Sequence, residues 1–350
     1  MAELPSPTDH GWISVHVFYA SNANPMLVEC VQPLVDRLRA EGKISRYFFI
    51  KYWMEGPHVR LRVLPAPGVD PEAVRAEVSA AIDEFLRRRP ALYEADQEGM
   101  ADLYKQMFLA EYGQERWDAT YGPDGVMPFR PNNTYHYMDY EREFGRYGGL
   151  AGVELAEWHF EHSSDLVLHL LATTNVHVRQ VMLGLSAQTS MMMCGVFLGD
   201  RQRIADFLED YRTFWETAYQ ENSDAYHESF DNSYRKMGGA LRDRMLDILR
   251  ASTGDNETVL TVTERKWLEH CRELRSRVLA LVESGDLWFR RRADDEPYRM
   301  EDPDAALSVL LSSYMHMTNN RLGVSILDEI YLSYLMRCAL LDDTALVGAA

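Results

Sequence analysis

The helical periodicity that begins near residue 150 is the feature that most limits what this chain can fold into. From there toward the C-terminus, apolar residues recur three or four positions apart, and the alternation typical of a strand is missing. Five segments carry the pattern: GVELAEWHFEHSSDLVLHLLATT, NVHVRQVMLGLSAQTSMMMCGVFLG, RQRIADFLEDYRTFWETAYQE, SYRKMGGALRDRMLDILRAS and TERKWLEHCRELRSRVLALVESG. The sequence therefore predicts a large α-helical bundle over residues 151–350.

The last two predicted helices have well-marked ends. Asp302 and Pro303 supply an N-cap and a first helical residue, and Gly323 suits the position that follows a helix. Ser325, with Asp328 three positions later, has the spacing of a capping box. The pattern predicts one helix that ends at Gly323 and a final helix that begins after Ser325.

Residues 1–150 follow a different pattern. Segments 12–20, 45–53 and 58–65 are rich in β-branched and aromatic residues, and a Gly-Pro turn joins the last two as a hairpin. A helical pattern follows the first strand, and another begins at Asp70. We expect an α+β region, a mainly antiparallel sheet with flanking helices, that forms one compact unit with the helical bundle.

The segment between the sheet and the bundle is harder to assign. Residues 111–134 are rich in turn-forming residues and predict a long loop of the kind that closes over a site. Residues 134–143, TYHYMDYERE, have the composition of a strand, and the glycines at 145, 148 and 149 would end it.

The net charge and the spacing of the cysteines argue against several classes of protein. A net charge of -18 argues against a general nucleic-acid binder or a protein held on anionic membranes. The four cysteines are far apart and show neither disulfide nor zinc spacing. With no signal peptide and no membrane-spanning run evident, we expect a cytoplasmic protein.

The first candidate for chemistry is the basic row in GPHVRLR, residues 56–62. If this segment is a strand, His58, Arg60 and Arg62 lie on one face and the apolar residues on the other. Such a row is usually solvated. The alternative is that the two arginines, about 7 Å apart along the strand, bind carboxylates, because the planar guanidinium pairs with both oxygens.

The second candidate is YEREFGRYGG, residues 140–149. It is consistent with a strand end and a glycine turn. Alternatively, Gly148 and Gly149 allow a close backbone approach beside a pocket, with Arg146 as an anion ligand and Glu143 holding that arginine in place.

The third candidate is YMHMTNNRLG, residues 314–323. A lone histidine on an apolar helix is most often a core residue, and His316 lies between two methionines. The functional alternative is a partly buried imidazole that moves a proton near neutral pH. A metal site at His159 and His162 has weaker support, because no third ligand has suitable spacing.

In their order along the chain, these segments resemble the C-terminal elimination region of lantibiotic dehydratases, and in particular its free-standing form, the thiopeptide-type bacteriocin biosynthesis proteins. The resemblance rests on WISVHVFY, YFFIKYWMEGPHVRLR, YEREFGRYGG, HMTNNRLG and DEIYLSYLMRCAL, and it covers nearly the whole chain. It implies that a separate, larger subunit transfers glutamate from glutamyl-tRNA onto Ser and Thr of a ribosomally made precursor peptide. This chain would then eliminate the glutamate to leave dehydroalanine or dehydrobutyrine, with no metal or organic cofactor.

The resemblance also assigns residues. The family's H-x-R-x-R motif matches residues 58–62 of this sequence, and its R-Y-G-G motif matches residues 146–149. Its H-M-x-x-N-R-L motif matches residues 316–322. The candidate catalytic residues are His316, Arg60, Arg62 and Arg146, and the candidate substrate-binding residues are His58, Glu143, Tyr147, Asn320 and Arg321.

Two other functions stay open at this point. Free-standing relatives in thiopeptide pathways act as formal [4+2] cycloaddition enzymes, which join two dehydroalanines into a pyridine ring. The matched arginines favour elimination, since a cycloaddition needs no glutamate pocket. The third function is a non-catalytic subunit that binds the leader peptide. The sequence leaves the oligomeric state open, a homodimer included.

Overall fold

The computed structural model describes residues 11–219, 223–290 and 295–342. The chain folds into two compact units, and the polypeptide passes between them more than once. The first unit comprises Met1–Arg142 and Ser163–Thr174, and the second comprises Glu143–His162 and Asn175–Ala350.

The first unit is built on a four-stranded antiparallel sheet. Its strands are β1 (Ile13–Phe18), β2 (Ile44–Tyr52), β3 (His58–Pro65) and β4 (Thr134–Tyr137), in the order β2-β3-β1-β4. This confirms the α+β expectation and the predicted β2–β3 hairpin. Val59, Leu61 and Val63 occupy one face of β3 and are almost completely buried.

Helices pack around this sheet. The segment after β1 starts as α1 (Asn24–Met26), continues through a π-helical stretch (Leu27–Val31) and ends as α2 (Gln32–Ala40). Helix α3 (Pro71–Arg88) begins as predicted, because the Asp70 side chain accepts a hydrogen bond from the Glu72 backbone N–H at 3.0 Å.

The predicted long loop at residues 111–134 is wrong over its first part, which is helical. Helix α4 (Gln97–Tyr121) crosses it, interrupted at Gly113 with φ 82° and ψ 168°. An aromatic cluster holds the two halves of α4 together, since Phe108 lies before the break and Trp117 after it, with ring centroids 5.3 Å apart. The turn-forming residues concealed this pairing, and a lid function for the segment stays a prediction.

The predicted strand at residues 134–143 is also shorter than expected. Within this segment only Thr134–Tyr137 (β4) forms a strand, which pairs with β1, and residues Phe144–Tyr147 form a short helix, α5, in place of a strand end. Glycine at position 148 ends this helix in the left-handed conformation, with φ 89°.

The second unit is mainly helical, which confirms the expected large helical region. Helix α6 (Gly149–Thr173) contributes its residues up to His162 to this unit and its residues from Ser163 onward to the first unit. The remaining elements are α7 (Arg179–Leu198), α8 (Arg201–Tyr219), α9 (Ser223–Thr253), a 3-10 turn (Glu257–Val259), α10 (Val262–Ser284), β5 (Trp288–Phe289), β6 (Tyr298–Arg299), α11 (Pro303–Leu322) and α12 (Ile326–Leu341).

Helix α7 is the central helix of this unit. By length and composition alone it could cross a membrane, with a mean hydropathy of 1.5, but 72% of that window is buried inside the protein. It packs against α8, α9, α10, α11 and α12, and these neighbours account for the burial. Helix α7 is therefore the core helix that its run of methionines suggests.

The ends of α11 and α12 agree with the sequence. Asp302 accepts a hydrogen bond from the Asp304 backbone N–H at 2.9 Å, and Gly323 follows α11 with φ 92°. Ser325 and Asp328 form a reciprocal capping box at the start of α12. A link of only three residues, Gly323 to Ser325, therefore joins the two helices.

Candidate functional site

The basic row on β3 is not a solvated face. His58 is 6% exposed and Arg62 is 7% exposed, while Arg60 is half-buried. Arg60 lies across from His16 on β1 and from Ile50 on β2. The hydrated interpretation of this row is therefore wrong, because two of its three side chains have little contact with water.

His58 and Arg60 form a connected pair within the row. His58 Nδ1 is 2.8 Å from the Gly56 carbonyl oxygen, and His58 Nε2 is 3.1 Å from Arg60 Nε. The Arg60 guanidinium lies 3.6 Å from the centre of the Tyr52 ring. Arg60 is thus held from two sides by neighbouring residues of the same hairpin.

Arg62 packs against two aromatic rings. Its guanidinium carbon lies 4.0 Å from the centre of the Tyr140 ring and 5.2 Å from that of Phe48. Such cation–π contacts are strongest where water is excluded. Arg62 therefore contributes to the packing of the first unit as well as to its positive charge.

His16 and His58, on this face, stay neutral. Burial, reinforced by the Arg60 charge, lowers the pKa of His16 to about 2. The same two causes, in the same order, lower the pKa of His58 to about 3. At physiological pH the face combines arginine charge with neutral imidazoles, an arrangement suited to an anion.

In the second unit, His316 is paired with a buried carboxylate. Its Nδ1 lies 2.9 Å from Glu329 Oε1, and its ring stacks obliquely on Trp215 with centroids 4.8 Å apart. Glu329 is 2% exposed. The sequence hypothesis of a partly buried imidazole therefore has a structural basis, since a carboxylate orients the ring and leaves Nε2 for chemistry.

Further groups hold the Glu329 carboxylate. The Tyr211 hydroxyl donates a hydrogen bond to Glu329 Oε2, and Asn319 Nδ2 lies 3.4 Å from the same oxygen. Ser186 in turn donates to Asn319 Oδ1 at 2.7 Å. Burial, followed by the Glu329 charge, raises the pKa of Tyr211 well above its usual value, so its phenol keeps the proton that it donates.

Sequence reasoning missed Glu329 as a functional candidate. The residue lies in DEIYL, a segment quoted only for its resemblance, and it is separated from His316 by the whole helix connection. A second acidic residue, directly after Asp328 in the first turn of an otherwise mainly apolar helix, was the available signal.

Arg146 lies beside α11, the helix that carries His316. Its Nε is 3.2 Å from Ser313 Oγ, one helical turn before His316, and its Nη1 is 3.3 Å from Glu143 Oε2. The structure therefore brings Arg146, Glu143 and His316 to the same part of the second unit.

The glycine pair after Arg146 permits a close approach. A Cβ at position 148 would lie 2.8 Å from Leu287 Cδ2, in addition to the strain of its positive φ. The neighbour is thus a hydrophobic side chain of the unit itself. Tyr147, a predicted substrate-binding residue, is 5% exposed and packs against Phe160 and Tyr314.

Two further candidates lie next to His316 on α11. Arg321 is fully buried, with Nη1 2.6 Å from the Met317 carbonyl oxygen and its guanidinium over the Phe160 ring. Asn320 is half-buried, and it is the preceding Asn319 that contacts Glu329. A substrate-binding role for Asn320, Arg321 or Tyr147 stays a prediction.

The weak metal candidate at His159 and His162 has a different arrangement. His159 Nδ1 lies 2.9 Å from His270 Nε2, and the His162 ring stacks on His270 with centroids 4.5 Å apart. Within the described ranges, no cluster of three or more potential metal-binding side chains is found. Three histidines and the tryptophans around them thus form a packed core cluster.

The four candidate catalytic residues are divided evenly between the two units. Arg60 and Arg62 belong to the first unit, and Arg146 and His316 belong to the second. Each pair has its own supporting residues, with His58 and Tyr52 around the first pair, and Glu143 and Glu329 around the second.

Comparisons with known proteins concern the fold and the family of this chain. The similar solved structures include "Pyridine synthase, TbtD, from thiomuracin biosynthesis", with a TM-score of 0.73 and 20% identity over 96% of this chain and 100% of that chain. They also include TsrL, with a TM-score of 0.61 and 18% identity over 94% of this chain and 93% of that chain. A third is the tRNA-dependent lantibiotic dehydratase MibB from Microbispora sp. 107891, with a TM-score of 0.44 and 18% identity over 96% of this chain and 28% of that chain. The search of curated proteins gave no match. A family model described as "Lantibiotic biosynthesis dehydratase C-term" matches residues 12–340. The chain therefore belongs to the family of the lantibiotic dehydratase C-terminal region.

Proposed function

We propose that this chain is a lyase that eliminates glutamate from glutamylated Ser and Thr residues of a precursor peptide, leaving dehydroalanine or dehydrobutyrine. The observation that carries the proposal is the pairing of His316 with the buried Glu329 at 2.9 Å, together with the contact of Arg146 with Ser313, one helical turn before His316 on α11. Elimination requires a base and cationic groups, and both residue types are present.

The proton transfer follows from the hydrogen bond of His316. With Nδ1–H donated to Glu329, the lone pair of Nε2 can accept the α-proton of the glutamylated residue. The electrons of the Cα–H bond form the new Cα=Cβ double bond as the Cβ–O bond breaks. Glutamate departs as a carboxylate, and the proton on His316 can return to it. Glu329 stabilises the imidazolium that exists between these steps.

The arginines would stabilise the negative charge of the substrate and of the leaving glutamate. A glutamyl ester carries a carboxylate before elimination and gains a second one as the ester oxygen leaves. Guanidinium groups pair with carboxylates through parallel hydrogen bonds, and they also stabilise charge that develops on the peptide carbonyl. We assign Arg60, Arg62 and Arg146 to these tasks. The reaction as proposed uses no metal or organic cofactor.

The proposed function also implies which molecules the chain works with and in which compartment the reaction takes place. The substrate would be a ribosomally made precursor peptide that a separate tRNA-dependent subunit has already glutamylated. The chain itself would contact no nucleic acid, in keeping with its net charge of -18. We place the reaction in the cytoplasm, where glutamyl-tRNA is made.

A formal [4+2] cycloaddition is the second candidate. It is supported by the likeness to the structure named as the pyridine synthase TbtD, which extends over 96% of this chain and 100% of that one. At 20% identity this likeness concerns the fold, and the fold suits both reactions. The candidate carboxylate-binding arginines favour elimination, because joining two dehydroalanines releases no glutamate.

Mass spectrometry of a glutamylated precursor peptide incubated with the purified protein tests the proposal. We expect loss of one glutamic acid per modified site. His316→Ala should lower the rate about 10²- to 10⁴-fold, the usual contribution of a general base, and leave glutamylated peptide. The exposed His177 offers a matched control, since His177→Gln should retain full activity.

Other outcomes would replace the proposal. An unchanged glutamylated peptide, together with ring closure of a peptide that already contains dehydroalanines, would assign the cycloaddition. Binding of the precursor with neither reaction would favour a leader-peptide-binding subunit.

A further inference from the structure

Both ring nitrogens of His58 are engaged by groups of fixed hydrogen-bonding character. The Gly56 carbonyl oxygen, 2.8 Å from Nδ1, can only accept, and Arg60 Nε, 3.1 Å from Nε2, can only donate. His58 must therefore carry its proton on Nδ1 and use the lone pair of Nε2 as an acceptor. An imidazolium has no lone pair and would break the bond to Arg60.

The surroundings of His58 keep it in this form. The positively charged neighbours are Arg60, Arg130 and Arg62, and burial together with these charges lowers the pKa of the ring to about 3. The ring stacks on His16, itself neutral, with centroids 5.1 Å apart and an interplanar angle of 20°. The centroid of the Phe18 ring lies 4.5 Å from that of His58. His58 is thus fixed in orientation and in protonation.

The hydrogen bond determines how Arg60 is presented. With Nε held by His58 and the guanidinium lying over Tyr52 at 3.6 Å, rotation of the side chain is restricted. The Tyr52 hydroxyl is hydrogen-bonded to Tyr112 at 2.5 Å, so the supporting ring is fixed as well. The two terminal nitrogens of a guanidinium held in this way form the edge that pairs with both oxygens of a carboxylate.

We propose that His58 is a positioning residue, which as a neutral Nδ1–H imidazole orients Arg60 for end-on pairing with one carboxylate of the substrate. That this carboxylate belongs to the glutamyl group rests on the proposed function. The orientation of Arg60 by His58 stands on the contacts within the hairpin.

The protonation of His58 can be measured without any substrate. In protein labelled with ¹⁵N-histidine, NMR correlation of ring nitrogens and carbons distinguishes the two neutral tautomers and the imidazolium, and His58→Gln identifies the signal. We expect the Nδ1–H tautomer throughout the range from about pH 8 to about pH 5, because the pKa is lowered by burial and by arginine. An Nε2–H tautomer, or protonation above pH 5, would overturn the proposal.

Two substitutions separate the orientation of Arg60 from the shape of the turn. His58→Gln keeps an acceptor near the position of Nε2, and His58→Asn keeps a donor near the position of Nδ1. We expect His58→Gln to stay within about threefold of wild type, and His58→Asn to raise KM about 10- to 100-fold, the effect of losing one hydrogen bond to a charged group. Equal activities of two folded variants, or a more active His58→Asn, would contradict the assignment.

The failures of the two proposals can be told apart. If wild-type protein eliminates no glutamate, the proposed function is wrong, yet the NMR measurement still decides the tautomer of His58. If wild-type protein is active and the tautomer is Nε2–H, only the positioning role is wrong. His177→Gln serves again as the control for replacing a histidine, and thermal unfolding verifies that each variant folds.

Discussion

The two units use histidine in opposite ways. On the sheet of the first unit, His16 and His58 lie among arginines, and burial keeps both rings neutral. On α11 of the second unit, His316 faces the carboxylate of Glu329. A neutral ring among cations is a hydrogen-bonding support, whereas a ring that faces an anion can take up a proton and be stabilised. Burial and the charge of the neighbouring residues therefore together indicate the task of a histidine.

Among the substitutions that test this difference between the two units, removing the charge of Glu329 should lower activity the most. Glu329→Gln keeps the size of the side chain but removes the anion that stabilises a protonated His316. We expect kcat for elimination to fall about 10²-fold or more, with KM little changed, because the loss concerns proton transfer.

Steady-state kinetics on glutamylated peptide measure this prediction. The exposed Glu228 provides the matched control, Glu228→Gln. A Glu329→Gln variant with wild-type kcat would show that His316 works without its carboxylate, and the contrast between the two units would lose its functional meaning.

Substitutions of the two arginines of the basic row should differ in their effects, one on the stability of the protein and the other on its activity. Arg62 is buried against Tyr140 and Phe48, and we expect Arg62→Ala to lower the free energy of unfolding by about 1–2 kcal/mol through lost cation–π and packing contacts. Arg60 is half-buried, so Arg60→Ala should affect activity mainly. Urea unfolding together with kcat/KM checks both variants. Equal stability of the two variants would be evidence against a packing role for Arg62.

Acid should destabilise the chain through the neutral histidines. His16 has a pKa of about 2 in the folded chain and about 6.5 when unfolded, so below pH 6.5 only the unfolded chain takes up the proton. Its contribution is fully present above pH 6.5 and is lost as the pH falls toward 2, by up to about 1.4 kcal/mol per pH unit.

Urea unfolding at several pH values between about 7.5 and 5 measures that slope. We expect His16→Gln to have a shallower slope than wild type, and His177→Gln, at an exposed position, serves as the control for replacing a histidine. An identical slope in His16→Gln would mean that His16 is not the residue that senses acid in the first unit.

The sequence was sufficient to predict those parts of the fold that depend on strong local signals. The β2–β3 hairpin and the caps around Asp302, Gly323 and Ser325 follow from alternation and from side-chain hydrogen bonding within a few residues. Helix α4 was missed because Gly113 interrupts it, and the aromatic cluster that stabilises both halves becomes visible only in three dimensions.

The candidate site was predictable only in part. Arg146 and His316 were found through motifs, but their supporting partners depend on distances that no local pattern contains. Glu329 lies thirteen residues beyond His316, and its contact with the histidine arises only from the reversal between α11 and α12. The burial of His58 and Arg62 was likewise hidden, because alternation along a strand does not say which face meets water.

The three-residue link between α11 and α12 has a consequence for how this family can diversify. An α-helix turns by about 100° and advances by about 1.5 Å per residue, so one residue inserted between Ser325 and Glu329 would swing the carboxylate away from His316. The number of residues from Gly323 to Glu329, which includes the link and the first turn of α12, therefore fixes the direction in which the carboxylate points. Insertions and deletions should therefore be tolerated in the connection at residues 174–178 and selected against at residues 323–328. Transfer of the histidine–carboxylate pair to another scaffold would require both helices and their link as one piece.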